Sequence, residues 1–130
     1  YITSEPCLAK AKGAEVHFLK ASDAGWNPYG SLVAMSDPPP PWAEAFVAAT
    51  QRSWEAYMAD PSRANAEIGR LNDQMSPEML ACVTEQQAPF LTGTEGLGQM
   101  SKERWEAMAA TLVDLGLLPA GSTAEGAWVP

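Results

Sequence analysis

Basic residues are scarce in this chain: eight Lys and Arg stand against sixteen Asp and Glu, giving a formal net charge of −8 over 130 residues. The eight are dispersed as Lys10, Lys12, Lys20, Arg52, Arg63, Arg70, Lys102 and Arg104. Nucleic acid and anionic membrane surfaces both call for clustered positive charge, so neither is an expected partner. Long apolar runs are also missing, and nothing approaches the roughly 18 residues that span a bilayer. The single histidine, His17, has no Cys or carboxylate at ligand spacing and reads as a strand residue, not a metal ligand. Cysteine is limited to Cys7 and Cys82, too few for a disulfide framework and without metal-type spacing. Two separate thiols or one bridge both remain open.

Catalytic signatures are absent as well. Neither Ser nor Cys occurs in a nucleophile-elbow sequence. The glycines of Thr92–Gly98, TGTEGLG, resemble a phosphate cradle only superficially, because the Lys and the preceding strand are lacking. The expectation is therefore a protein without catalytic residues, metal or cofactor. Its first residues, Tyr1–Pro6, hold neither an initiator Met nor a secretory leader, which suggests a chain that begins partway through a longer or processed product.

What is present is strong punctuation. Ser101 and Glu103 suit a helix start, and Trp105, Met108, Ala109, Leu112 and Leu115 recur at three- and four-residue steps that place them on one apolar stripe. Gly116 then supplies a left-handed stop and Pro119 forbids continuation. Trp42 to Ala59 is helical by the same criterion, with Ala43, Phe46, Val47, Thr50, Trp54, Tyr57 and Met58 on one buried face. Asp60-Pro61 starts a second helix to about Leu71, with Ala64, Ile68 and Leu71 inward, and Ser76-Pro77-Glu78 starts a third. That third helix keeps Met79, Leu80, Val83 and Gln87 on its inner side and ends before Pro89. Upstream, Ser4-Glu5-Pro6 opens a short helix that Gly13 closes, while Tyr1–Thr3, the stretch around Val16 and Phe18, and Leu32–Met35 read as short strands. Pro38–Pro41 form a stiff connector.

One constellation could hold a ligand. With Tyr1–Thr3 as a strand leading into a helix, the Ser4 hydroxyl, the Glu5 carboxylate and the first helical N–H groups would gather at the strand's carboxyl end, where open α/β sheets bind ligands. Asp23, Trp26 and Tyr29 lie on an irregular loop that could add a polar tip and flat apolar surfaces. Equally, Ser4 is a cap, Glu5 a dipole partner and the two aromatics lids over a core.

YITSEPCLAKAKG, EVHFL, DAGWNPYG, SLVAMSD, AFVAATQRSWEAYMADP and GLGQMSKERWEAMAATLVDLGLLP follow one another in an order that resembles the carboxy-terminal portion of ABC-importer solute-binding proteins for nitrate, sulfonates, taurine and thiamin pyrimidine precursors. That resemblance implies a predominantly helical α/β fragment of a two-lobed periplasmic binding protein-like fold, with two or three short strands and about five helices. It divides the chain into 1–36, a remnant of the second lobe and the returning crossover strand; 37–41, the proline connector; and 42–130, helices that pack on the first lobe. It implies reversible binding of a small organic solute without catalysis, contacts from Ser4, Glu5, Asp23, Trp26 and Tyr29, an ABC permease as partner, and a periplasmic or lipid-anchored location. Uncovered strand edges and helix faces would be satisfied by another copy, giving a homo-oligomer. Two alternatives accompany it: a pyrimidine-phosphate synthase-like enzyme of thiamin biosynthesis, whose cysteine-rich motif and essential histidine are not recognisable here, and a helical homo-oligomeric interaction module.

Overall fold

A computed structural model describes residues 1–92 and 96–128. The described residues form five α-helices and one 3₁₀ turn: α1 (Glu5–Ala11), the turn Ala21–Ala24, α2 (Ala43–Ala59), α3 (Ser62–Leu71), α4 (Pro77–Thr92) and α5 (Lys102–Asp114). No strand occurs among them, which corrects the expected α/β fragment to an all-helical chain. The three segments read as strands fail for one physical reason: a strand's N–H and C=O groups need a neighbouring strand, and none of these segments has one. The stretches around Val16–Phe18 and Leu32–Met35 carry neither helix nor sheet, and Phe18, Leu32 and Val33 stand in solvent.

Helix starts follow local chemistry. Asp60 Oδ1 accepts from the Ser62 N–H at 3.0 Å, Ser76 Oγ from the Met79 N–H at 3.2 Å, and Ser101 Oγ from the Arg104 N–H at 3.4 Å. Each satisfies a donor that the first helical turn leaves without a partner. At the far end of α5, Gly116 takes φ 70°, and the N–H groups of Leu117 and Leu118 both reach the Leu112 carbonyl, at 2.8 and 3.1 Å. That is the left-handed stop foreseen at this glycine. The expected end of α4 before Pro89 is corrected, since the helix carries Pro89 and runs on to Thr92. Proline there deletes a single backbone bond one turn from the end, which the last turn tolerates. The peptide bond Asp37–Pro38 is cis.

The chain divides into two compact units, and the segments free of regular structure are where it passes between them. The first unit comprises Tyr1–Phe18 and Met35–Gly98. In it α4 packs against both α1 and α3. Among the described residues, Pro6 and Cys7 of α1 and Leu80 of α4 are buried in it. Cys7 and Cys82 are joined by a disulfide, with Cα atoms 5.9 Å apart across 75 residues of sequence, which decides between the two readings left open for these cysteines. The long helix α2 buries no residue, contrary to the buried face expected of it, because α3 and α4 leave its apolar stripe partly open.

The second unit comprises Leu19–Ala34 and Gln99–Pro130. Its core is Trp105 and Ala109 of α5 with Ala124, flanked by Tyr29, Met100, Met108 and Trp128. The stripe predicted for α5 is thus only partly inward, since Leu115 remains 66% exposed. The Trp105 indole N–H has no hydrogen-bond partner among the described residues.

Candidate functional site

The first unit contains an open groove of about 630 Å³ between α2, α3 and α4. That volume falls within the roughly 300–1,000 Å³ of small-molecule sites. Phe46, Trp54 and Tyr57 of α2 supply one wall, Ile68 of α3 another, and Leu80, Val83 and Gln87 of α4 the third. The Trp54 and Tyr57 rings meet edge to face, 5.6 Å between centroids and at 89°. Among the described residues no charged side chain lines the groove. Thr50 and Ser53 also face it, but their hydroxyls donate to the Phe46 and Ala49 carbonyls at 2.9 and 2.8 Å. Their protons are therefore spent on the helix.

A polar network crosses the three helices at this groove. The Tyr57 hydroxyl donates to Asn65 Oδ1 at 3.0 Å and accepts from Gln87 Nε2 at 3.2 Å. Asn65 Nδ2 donates to Thr84 Oγ1 at 3.2 Å, and the Thr84 hydroxyl donates to the Leu80 carbonyl at 2.8 Å. Tyr57 and Thr84 oxygens also approach to 2.8 Å. All four side chains are half-buried, so these bonds are shielded in part from competing water. Such an arrangement can hold and orient a neutral molecule by contact and hydrogen bonding. Among the described residues it contains no base beside a hydroxyl and no cluster of anionic or imidazole groups.

The residues singled out from the sequence are distributed between the two units. Ser4 and Glu5 lie in the first, where Ser4 Oγ donates to Glu5 Oε2 at 2.6 Å and the Tyr1 amine pairs with Glu5 Oε1 at 2.7 Å. That amine, followed by the Ser4 hydroxyl, holds the Glu5 carboxyl well below the usual carboxylate range, at about 2. Ser4 makes no side-chain cap to α1. Its hydroxyl and the Glu5 carboxylate are engaged with each other and with the chain's own amine.

Asp23, Trp26 and Tyr29 belong to the second unit. Asp23 is exposed on the 3₁₀ turn. Trp26 lines a hollow of about 80 Å³ with Arg104, Met108 and Thr111, far too small for an organic solute by the range above. Tyr29 is a core-flanking residue: its ring sits 5.7 Å from that of Trp105, and its hydroxyl accepts from the Ser101 N–H at 2.7 Å. Ser4 is thus brought to Glu5, and Trp26 and Tyr29 to the loop that α5 secures.

Of the network residues, Tyr57 and Gln87 were placed on inner helix faces by periodicity, whereas Asn65 and Thr84 carried no signal. A glutamine on an otherwise apolar face was the available clue. The TGTEGLG segment lies partly outside the described residues, since Gly93, Thr94 and Glu95 are not described. His17 is exposed, with Nε2 at 3.4 Å from Glu15 Oε1. Among the described residues no group of three or more His, Cys, Asp or Glu could hold a metal ion, and no helix is long and apolar enough to cross a membrane. No family model, curated protein or solved structure matches this chain.

Proposed function

We propose that this chain binds a small organic solute reversibly and without catalysis, outside the cytoplasm, as a solute-binding component of an ABC importer does for its permease. The observation that carries the binding role is the groove of about 630 Å³, whose described lining carries no charge and includes Tyr57 and Gln87 of the polar network. The ordered sequence segments described above support the importer class. The Cys7–Cys82 disulfide supports an oxidising location, because such bonds persist in periplasmic and secreted proteins and are rare in the reducing cytosol. Binding is tested by titrating the chain with small aromatic amines, pyrimidines, sulfonates and oxyanions while following nuclear magnetic resonance shifts. Shifts confined to Trp54, Tyr57, Val83 and Gln87 are the expected result. Unchanged spectra with every compound at millimolar concentration would remove the groove as a solute site.

A second reading, a helical homo-oligomeric module, is favoured by one observation on α2. Phe46 and Val47 are 46% and 43% exposed, and Trp42 before them 58%, which leaves a run of large apolar side chains in solvent. Light scattering behind size-exclusion chromatography separates the two. A monomer at micromolar concentration argues against the module, and a dimer that dissociates when Phe46 is replaced by Glu argues for it.

A further inference from the structure

Building on the groove as a solute site, we propose that its occupant is a neutral, ring-bearing molecule that donates an N–H or O–H hydrogen bond to the Gln87 side-chain oxygen. The direction of the polar network fixes this. Its far end is the Leu80 carbonyl, which can only accept, and Thr84 gives it the one proton its hydroxyl owns. Thr84 Oγ1 must then receive a proton from Asn65, whose Nδ2 lies at 3.2 Å, so the Asn65 amide is oriented with Oδ1 toward Tyr57. The single proton of Tyr57 is claimed there, or by Thr84 at 2.8 Å. In either case the Tyr57 oxygen can only accept from Gln87, whose Nε2 lies at 3.2 Å. The glutamine amide is thereby held with its nitrogen inward and its carbonyl oxygen outward. That oxygen has no hydrogen-bond partner among the described residues, and Gln87 lines the groove. The remaining wall groups restrict the choice further. Among the described residues no charged side chain lines the groove, which leaves an ionised solute without compensation there for lost hydration. The edge-to-face Trp54 and Tyr57 rings offer a flat ligand aromatic contact on two sides.

Skatole and N-methylindole test this directly, because the two isomers carry the same atoms and differ in whether the ring nitrogen keeps its hydrogen. On the full, unaltered chain, followed by nuclear magnetic resonance titration, skatole is expected to bind about fivefold more tightly, the effect of one net hydrogen bond. Gln87→Met, which keeps the length of the wall and removes the acceptor, is expected to bring the ratio to about one. Equal affinities, or tighter N-methylindole, with shifts at Trp54 and Tyr57 would overturn the donor requirement and leave the solute site standing. No groove shifts with either isomer would overturn both. The comparison of isomers on the unaltered chain decides the matter even if Gln87→Met does not fold.

Discussion

Arg104 lies over the ring of Tyr29, with its guanidinium carbon 4.0 Å from the ring centroid. The same guanidinium donates to the Asn27 carbonyl at 2.6 Å, to Asn27 Oδ1 at 3.1 Å and to the Pro28 carbonyl at 3.0 Å. One side chain of α5 therefore closes the loop that precedes it by more than seventy residues in sequence, and does so through a planar fork that an ammonium cannot copy. Arg104→Lys is expected to destabilise the second unit by about 1–2 kcal/mol despite conserving the charge. Urea unfolding followed by the Trp105 indole resonance in nuclear magnetic resonance spectra measures this, and a loss no larger than that of a surface Lys→Ala control would remove the role.

Cys7 is 3% exposed and its partner lies 75 residues away, so the bridge closes a large loop in a unit whose buried hydrophobic side chains are few. In the chain-entropy account a loop of this length stabilises by about 4 kcal/mol. Domains commonly have only about 5–15 kcal/mol in total. Replacing Cys82 by Ser is expected to lower the denaturant midpoint of the first unit sharply. Thiol labelling of the native chain is expected to find no reactive cysteine, and labelling at two sites without denaturant would contradict the bridge.

The Glu5 carboxyl gives a pH prediction with a definite sign. Its folded value, about 2, lies below the ordinary carboxylate value, so the stability contributed by ionising the carboxyl is present once pH exceeds that ordinary value and is lost as pH falls through about 2. Acetylating the Tyr1 amine removes the first cause and leaves the Ser4 hydroxyl. The Glu5 titration midpoint, read by carbon nuclear magnetic resonance, is expected to move upward on acetylation. An unchanged midpoint would show that the amine does not hold the carboxylate.

Gly116 sits at φ 70° with open space where a Cβ would go, so conformational strain alone governs a substitution there. Gly116→Ala is expected to cost about 1 kcal/mol, because L-residues pay about that much in the left-handed region. Thermal unfolding of the variant checks it, and a rise in the midpoint would show that the turn is not held in that conformation.

These findings separate what a sequence carries from what needs neighbours. Asp60, Ser76, Ser101 and Gly116 act within one turn of their own helix, so their roles were legible from order alone. The alternation at Val16 and Phe18 was equally visible, but a strand's bonds are made by a second strand, and none is available to it here. The network of Tyr57, Asn65, Thr84 and Gln87 draws on three helices, and its members are ordinary residues at ordinary spacings until those helices pack. The grouping of Ser4 and Glu5 rests on the expectation of a strand leading into α1, and that of Asp23, Trp26 and Tyr29 on a loop near the cleft of a two-lobed fold. Without the strand, Ser4 binds Glu5, while Tyr29 serves the core around Trp105.

The covalent link between α1 and α4 has a consequence for how the chain comes apart. The stretch from Gly13 to Asn27, exposed except at Val16 and Trp26, lies wholly between the two bridged cysteines. A protease that nicks it leaves both pieces tethered, so the cut polypeptide migrates as a single species on a denaturing gel until a thiol reagent releases the amino-terminal peptide.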